Sequence, residues 1–542
     1  MKRKWHAILP FVVILVAVFL VYFNVLRGPF LYDDISLVKL NRTIQSFSNI
    51  VEWFTTSPFH FKGIETNLYR PIPTTFNAIL YALFGVKSTV PFHVLNVLFH
   101  FGSAALFFTI LKKLDITATF ALLGALIFAV HPVNTESVSY IAGLPDVASG
   151  FFMLSGIALS MHIFSEHNLR HKTLLFFGVT ITYIAALLSK ESAISFALLI
   201  LLILVFGWKK LNTQNKTNAK QLMTLVLSLS VIYITAKMTI LQFVDGKQGL
   251  MSGLEYTTDI TLRIYTFLGV IHEYIKLIFF PKDLFFDKPL AFSVTIISPK
   301  VLMGIVYLII AGVASSISFR RRKFIFLGVF WFFISLAPVS GILIPSNAVF
   351  TEHWLYIPII GAISAVVAYA DKIRFRRSII SFFICMILIL GGRTILRNRE
   401  WADPWRFFQN EIEHSKGPRP FVKMADLLAE KGEYERVIQM LNIALDSNIF
   451  IREAYNNLGD AYIKTKQYDL ALKVLLKGIM LAPTFQKQYF TLFQLFEDLG
   501  MATESEIVAK YIVLSQSKKL SEQDAIKMIE ELKLSATSSV TK

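Results

Sequence analysis

Cysteine is nearly absent from this chain: its 542 residues hold one, Cys385, and that one lies inside an apolar run. A single thiol excludes a disulfide framework or a thiolate metal centre within the chain. Charge is also scarce. Only 17% of the residues are charged, against about 25% in soluble domains. Acid is the scarcer sign, with 37 Asp and Glu against 54 Lys and Arg, a formal net charge of +17. A basic excess can mark nucleic-acid binding. Here no nucleic-acid-binding motif accompanies it, and many cations sit in short loops between apolar runs, as the positive-inside rule expects. We therefore expect no nucleic-acid partner. A phosphate loop, a Gly-x-Ser-x-Gly elbow and a metalloprotease helix are missing too, which removes support from ATP-driven transport and serine hydrolysis.

What the chain has in abundance is apolar length. It is 54% hydrophobic and 14% aromatic. Runs of spanning length fall near 8–26, 92–111, 117–130, 147–164, 173–189, 192–207, 222–241, 301–319, 324–343, 355–370 and 378–396. The fold expected is all-α, a polytopic transmembrane bundle of about 11 spans over residues 1–396. Met1-Lys2-Arg3-Lys4 before the first run reads as an uncleaved anchor with a cytoplasmic N-terminus. Basic loops follow alternate runs, at Lys112-Lys113, 167–172, 209–220, 320–323 and 372–377, and these should be cytoplasmic. The opposite loops, and the C-terminal domain, are then external. The segment 263–280 is apolar enough to span, yet it carries Arg263, His272, Glu273 and Lys276 and a crossing there would invert every later loop. It reads as a re-entrant or interfacial helix.

After 396 the composition changes. Residues 397–417 read as a polar connector. A period of 34 residues follows. With Arg452 as position one, Tyr455, Leu458, Gly459, Tyr462, Ala471, Leu475, Gly478 and Pro483 occupy the positions of a tetratricopeptide repeat. Looser copies lie one period before and after, giving about three repeats over 418–519, a short α-solenoid. Residues 520–534 read as a capping helix opened by Ser521 with Asp524 at capping-box spacing, and 535–542 as a disordered tail.

Six polar clusters fall on the predicted external side. They are Tyr32-Asp33-Asp34; Tyr69-Arg70-Pro71; His93, Asn96 and His100 on one helical face; His131 with Glu136 and then Asp146; Ser189-Lys190-Glu191; and Glu352-His353-Trp354-Leu355-Tyr356. Adjacent carboxylates suit a general base or a divalent cation, though nothing in the sequence demands a metal. Arginine suits a phosphate. Each cluster has a plainer alternative: a solvated turn, a snorkelling arginine, interhelical hydrogen bonds, or an ion pair at the membrane edge. Their convergence on one side is what a lipid-linked phosphate donor and a polar acceptor require.

In combination and order these motifs, with Arg397-Asn398, Trp401 and Asp403, resemble the transmembrane and tetratricopeptide-repeat-containing O-mannosyltransferases and their bacterial relatives, within the GT-C glycosyltransferases. The resemblance covers nearly the whole chain. It implies a GT-C-like bundle that moves mannose or another hexose from a polyprenyl-phosphate donor, with inversion, to a protein or glycan acceptor on the external face. It implies Asp33 or Asp34 as the base; Arg70, Lys190 and His131 on the donor phosphate; and Tyr69, His93, Glu136, Asp146, Glu191, Glu352, His353 and Tyr356 as further cavity candidates. The family often has Gly-Arg-Ala-Asp where this chain has Gly143-Leu144-Pro145-Asp146, and Glu-Arg-Tyr-Leu-Tyr where it has Glu352-His353-Trp354-Leu355-Tyr356. Two arginines suited to phosphate are thus absent. The alternative is a non-catalytic membrane scaffold whose repeats gather partners. Short repeats and compact loops point to a bacterial cytoplasmic membrane, with the endoplasmic reticulum as the alternative compartment.

Overall fold

The structure, a computed structural model, describes residues 2–540 except 63–65, 67, 165–167, 208–210, 241–254, 289–291, 322, 346–347, 416, 449 and 518–519. The basic loops at 167–172, 209–220 and 320–323 and the loop 242–300 therefore lie partly outside the described residues. The chain divides into two compact units, residues 1–286 with 290–404, and residues 287–289 with 405–542. Among the described residues there is no strand.

Every one of the eleven apolar runs lies on a helix in the first unit. In order the helices are α1 (Lys2–Tyr22), the short α2 (Ile50–Thr55), α3 (Pro71–Phe84), α4 (Val90–Lys113), α5 (Ala118–Val130), the short α6 (Thr135–Ser139), α7 (Leu144–Ile163), α8 (Leu169–Leu187), α9 (Ser195–Gly207) and α10 (Thr213–Thr235). They continue as α11 (Ile260–Phe279), α12 (Pro299–Arg321), α13 (Lys323–Leu336), α14 (Pro358–Ala370) and α15 (Arg376–Trp401). Among the described residues six helices are long and apolar enough to cross a membrane, or seven if the bent pair 118–130 and 132–139 is one span. Three shorter apolar helices cover Glu191–Gly207, Phe324–Val339 and Pro358–Ala370. The protein is an integral membrane protein. The segment expected to be re-entrant or interfacial is the helix α11, outside that long apolar set. Its buried residues Leu262, Thr266, Val270, Tyr274 and Leu277 repeat at three and four and mark one face. Two of its charges are paired sideways, Lys276 with Asp283 at 2.9 Å and Glu273 with Lys300 at 2.7 Å.

Polar side chains tie the bundle together, because an unpaired polar group in lipid is costly. On α4, a ring nitrogen of His93 lies 3.2 Å from the Gly28 carbonyl, Asn96 donates to the Tyr140 carbonyl at 2.8 Å, and His100 pairs with the Tyr356 hydroxyl and the Ala129 carbonyl, each at 3.0 Å. On α15, Thr394 donates to Val130 at 2.6 Å and Asn398 to Val21 at 2.8 Å, while Asn24 reaches back from the end of the first run to Ile395 at 2.9 Å. Where α13 and α14 cross, a β-carbon on Gly328 would lie 2.5 Å from the Gly361 carbonyl oxygen, and the reverse holds as well. Only glycine permits that approach.

The boundary expected at 396 falls at 404 instead. Helix α15 runs unbroken through the buried Arg397, Asn398 and Trp401, so these polar residues belong to the membrane unit. The second unit begins with α16 (Pro404–His414) and stacks α17 (Arg419–Glu430) on α18 (Tyr434–Ser447), α19 (Arg452–Lys464) on α20 (Tyr468–Leu481), and α21 (Lys487–Asp498) on α22 (Ala502–Ser517). These are the helix pairs of a repeat solenoid. The seam residues Tyr455, Leu458, Ala471 and Leu475 are all buried. The last helix, α23, extends over Glu522–Val540 rather than ending near 533. The sequence from Ser535 to Val540 contains no Gly or Pro to stop it.

Candidate active site

The site is built around a turn. After α1 the chain passes Gly28 and enters the left-handed region at Tyr32, whose φ is 43°. That conformation is costly for a residue with a β-carbon. The Tyr32 ring lies stacked on Phe286, with centroids 4.9 Å apart. The turn gives the two adjacent carboxylates different surroundings. Asp34 is buried, with 1% of its surface exposed. One of its oxygens accepts from the Leu31 backbone N–H at 3.0 Å and the other from Ala142 at 2.7 Å. Burial pushes its carboxyl well above the usual range, against those two hydrogen bonds and with a further push from Asp33. Asp34 therefore anchors the turn to the segment after α6. Asp33 is exposed, and its backbone N–H donates to the Tyr140 hydroxyl at 2.8 Å.

Asp33 opens into a cavity of about 140 Å³, whose walls include Arg70, Asn77, Glu136, Tyr140, Asp146 and His353. Two smaller cavities adjoin it. One shares Arg70 and Thr74 and continues past Glu52 and Ser57. The other shares Asp146 and His353 and continues to Lys190 and Tyr356. Leu144 also lines the main cavity, so one position where the related family often has arginine is apolar here.

Three ion pairs surround this space. Lys190, 5% exposed, donates to Asp146 at 2.5 Å. The Arg70 Nε lies 3.6 Å from Glu191, a looser contact. The Glu136 carboxylate is spanned by one residue, accepting the His353 backbone N–H at 3.1 Å and facing the His353 Nδ1 at 2.6 Å. The backbone N–H of Ile72 donates to the Leu188 carbonyl at 3.2 Å. That bond seats the start of α3 on the end of α8 and so brings Arg70 to Lys190 and Glu191. Around Glu191, burial pushes the carboxyl up, but Arg70, then Lys237 and Lys190, pull it down, and the net value lies below the ordinary one.

Other candidates stand apart. Both ring nitrogens of His131 are engaged, one with the Ile278 carbonyl at 3.0 Å and the other accepting from the Val133 N–H at 3.2 Å. That pattern caps the turn before α6. The His93, Asn96 and His100 stripe joins helices. Tyr69 donates to the Phe54 carbonyl at 3.0 Å, and Glu352 accepts from the Phe285 N–H at 2.8 Å. Tyr140 and Phe286 were missed by sequence reasoning. Their only signal was aromatic character beside polar motifs, which is common throughout this chain. Among the described residues no group of three or more His, Cys, Asp or Glu is placed to hold a metal ion. The arrangement present is an exposed carboxylate and a guanidinium lining one cavity, with a second cation in the cavity that adjoins it.

The tetratricopeptide repeat family model matches residues 453–485. A protein named Protein O-mannosyl-transferase F38B6.6 of Caenorhabditis elegans is 24% identical over 404 residues, 70% of this chain and 54% of its own length. Protein O-mannosyl-transferase TMTC3 of Homo sapiens is 20% identical over 522 residues, 90% of this chain and 53% of its own. Protein O-mannosyl-transferase tmtc2 of Xenopus laevis is 34% identical over 151 residues, 26% of this chain and 18% of its own. The chain thus spans about half the length of the relatives it matches most fully. A solved structure titled as the APC/C hetero-tetramer Cut9-Hcn1 matches with a TM-score of 0.22 and 16% identity over 90% of this chain and 99% of its own, too low a score to carry an argument. This chain is thus similar to proteins named protein O-mannosyl-transferases and carries a tetratricopeptide repeat.

Proposed function

We propose that the protein is a membrane glycosyltransferase that moves a hexose, mannose by the names of its relatives, from a polyprenyl-phosphate carrier to a hydroxyl of a protein acceptor. The observation that carries this reading is the placement of Asp33. It is the exposed member of its pair and opens into the cavity that Arg70 lines, while Lys190 reaches the same space through Asp146. A scaffold has no need of that convergence.

In the proposed reaction the Asp33 carboxylate takes the proton of the acceptor hydroxyl. The acceptor oxygen forms its bond to the anomeric carbon from the face opposite the leaving group. The bond from that carbon to the phosphate oxygen breaks, its electron pair leaves with the polyprenyl phosphate, and the sugar configuration inverts. Arg70 and Lys190 meet the charge that grows on the phosphate, each worth about 3–4 kcal/mol by analogy with oxyanion donors in a water-poor site. Leu144 and His353, at the positions where the family often has arginine, make this phosphate site less cationic. The repeats recruit the acceptor polypeptide along their concave face. The relatives are animal proteins, which fits an endoplasmic-reticulum membrane, the alternative to the bacterial cytoplasmic membrane.

The test uses detergent-purified protein, a panel of radiolabelled polyprenyl-phosphate sugars, and membrane extract as acceptor. Transfer by the wild type that falls on the order of 100-fold or more in Asp33→Asn supports the reading. Wild-type transfer by Asp33→Asn would remove Asp33 from the base role. No transfer from any donor by folded wild-type protein favours the scaffold.

A further inference from the structure

Beside the main cavity lies a cluster of which only Arg70 has a role in the mechanism above. It joins three parts of the chain. Arg70 precedes α3. Glu191 opens the 3-10 turn Glu191–Ile194 after α8. Tyr233 and Lys237 sit at the end of α10, where the helix loosens into the one-turn π-helix Ala236–Ile240. Such π turns often occur at functional sites. A 2.7 Å hydrogen bond between the Tyr183 and Ser230 hydroxyls holds α10 against α8.

Three polar atoms of this cluster are buried without a hydrogen-bond partner among the described residues: Arg70 Nε, Glu191 Oε2 and the Tyr233 hydroxyl. Buried polar groups are normally satisfied, so three orphans from three elements mark a place built for something else. The only link among them is the loose 3.6 Å contact of Arg70 with Glu191. The charges of Lys237 and Arg70 both act on Glu191, and Tyr233 is within electrostatic reach of Glu191 and Arg70. Lys190 is already matched by Asp146 at 2.5 Å. Arg70, Lys237 and Glu191 therefore sum to one uncompensated positive charge.

We infer that Glu191 is an internal stand-in for the carrier phosphate, and that Lys237 and Tyr233 are further ligands of that phosphate alongside Arg70. This rests on the donor reading given above. A sugar phosphodiester carries one negative charge and would balance the cluster as it stands. Transfer converts it to a monoester of higher charge. With Glu191 turned aside, Arg70 and Lys237 supply two positive charges to match. The return of Glu191 then competes with the spent carrier and helps to expel it.

The experiment measures binding of a polyprenyl monophosphate to the full chain in detergent, with the matching polyprenol as the uncharged control. Lys237→Met should weaken binding of the phosphate about tenfold, ~1.4 kcal/mol, and Tyr233→Phe should weaken it less. Glu191→Gln should tighten it by a similar factor and should make turnover more sensitive to added monophosphate. Polyprenol binding should not change in any variant. Thermal unfolding of each variant identifies any loss due to misfolding. Wild-type affinity in a folded Lys237→Met protein, or weaker binding in a folded Glu191→Gln protein, overturns this inference and leaves the donor reading intact. A wild type that does not distinguish phosphate from polyprenol overturns the donor reading, and this inference with it.

Discussion

At the scale of single residues, the sequence placed Asp33 and Asp34 together and could not separate them. The structure separates them by burial, so the two Asn substitutions should differ in kind. Asp33→Asn should lower transfer about 100-fold or more and leave the unfolding temperature unchanged. Asp34→Asn keeps one acceptor but turns an amide donor toward a backbone N–H, which should cost about 1–3 kcal/mol of stability, read as a lower unfolding midpoint. Their neighbours also predict opposite pH behaviour. Burial raises the folded-state value of Asp34, so its contribution to stability is fully present in acid and falls as pH rises through that value. Glu191 is held down, so its contribution is present above the ordinary carboxylate range and is lost as pH falls through the lowered value. Unfolding measured across the carboxylate range should show Glu191→Gln losing less stability on acidification than the wild type. Residue types, and their gathering around one space, were legible for Asp33, Arg70, Glu136, Asp146 and Lys190. The orientation of each was not, because hydrogen bonds from distant segments decide it. His131 shows this. Its type suits a phosphate ligand, while its ring is turned toward the carbonyl of Ile278, far along the chain.

At the scale of elements, periodicity made the helices legible. Apolar length gave the bundle and the 34-residue period gave the repeats. Boundaries were less legible where polar residues are buried, as in α15, because composition reads buried Arg397 and Asn398 as exposed connector. The polar stripe on α4 behaves as helix glue. Asn96→Leu should leave the Tyr140 and Ile141 carbonyls without their donor. A loss of about 1–2 kcal/mol is expected, along with reduced transfer, because the Tyr140 hydroxyl accepts the Asp33 N–H. In the repeats, small residues set the spacing of paired helices. A β-carbon on Gly478 would come within 2.6 Å of the Tyr455 β-carbon and the Gln488 side chain. Gly478→Ala should therefore cost about 1–3 kcal/mol through overpacking, seen as a lower midpoint for the repeat helices in circular dichroism.

At the scale of the whole molecule, the two units imply a division of labour that deletion can test. Removing 418–542 should leave polyprenyl-phosphate binding in place and should abolish transfer to the natural acceptor. Retained transfer to that acceptor would assign recruitment to the membrane unit. The hydrogen bonds of Asn24 with Ile395 and of Asn398 with Val21 join the first membrane helix to the last, across 371 and 377 residues. Ribosomes extend chains at roughly 5–20 residues per second. The first helix therefore waits on the order of tens of seconds after insertion before its partner is made. Until then the Asn24 side chain and the Val21 carbonyl lack these partners in the bilayer. Assembly is thus a task for whatever shelters nascent helices at the translocation site. Slowing synthesis near residue 376 should lengthen the retention of the nascent chain there.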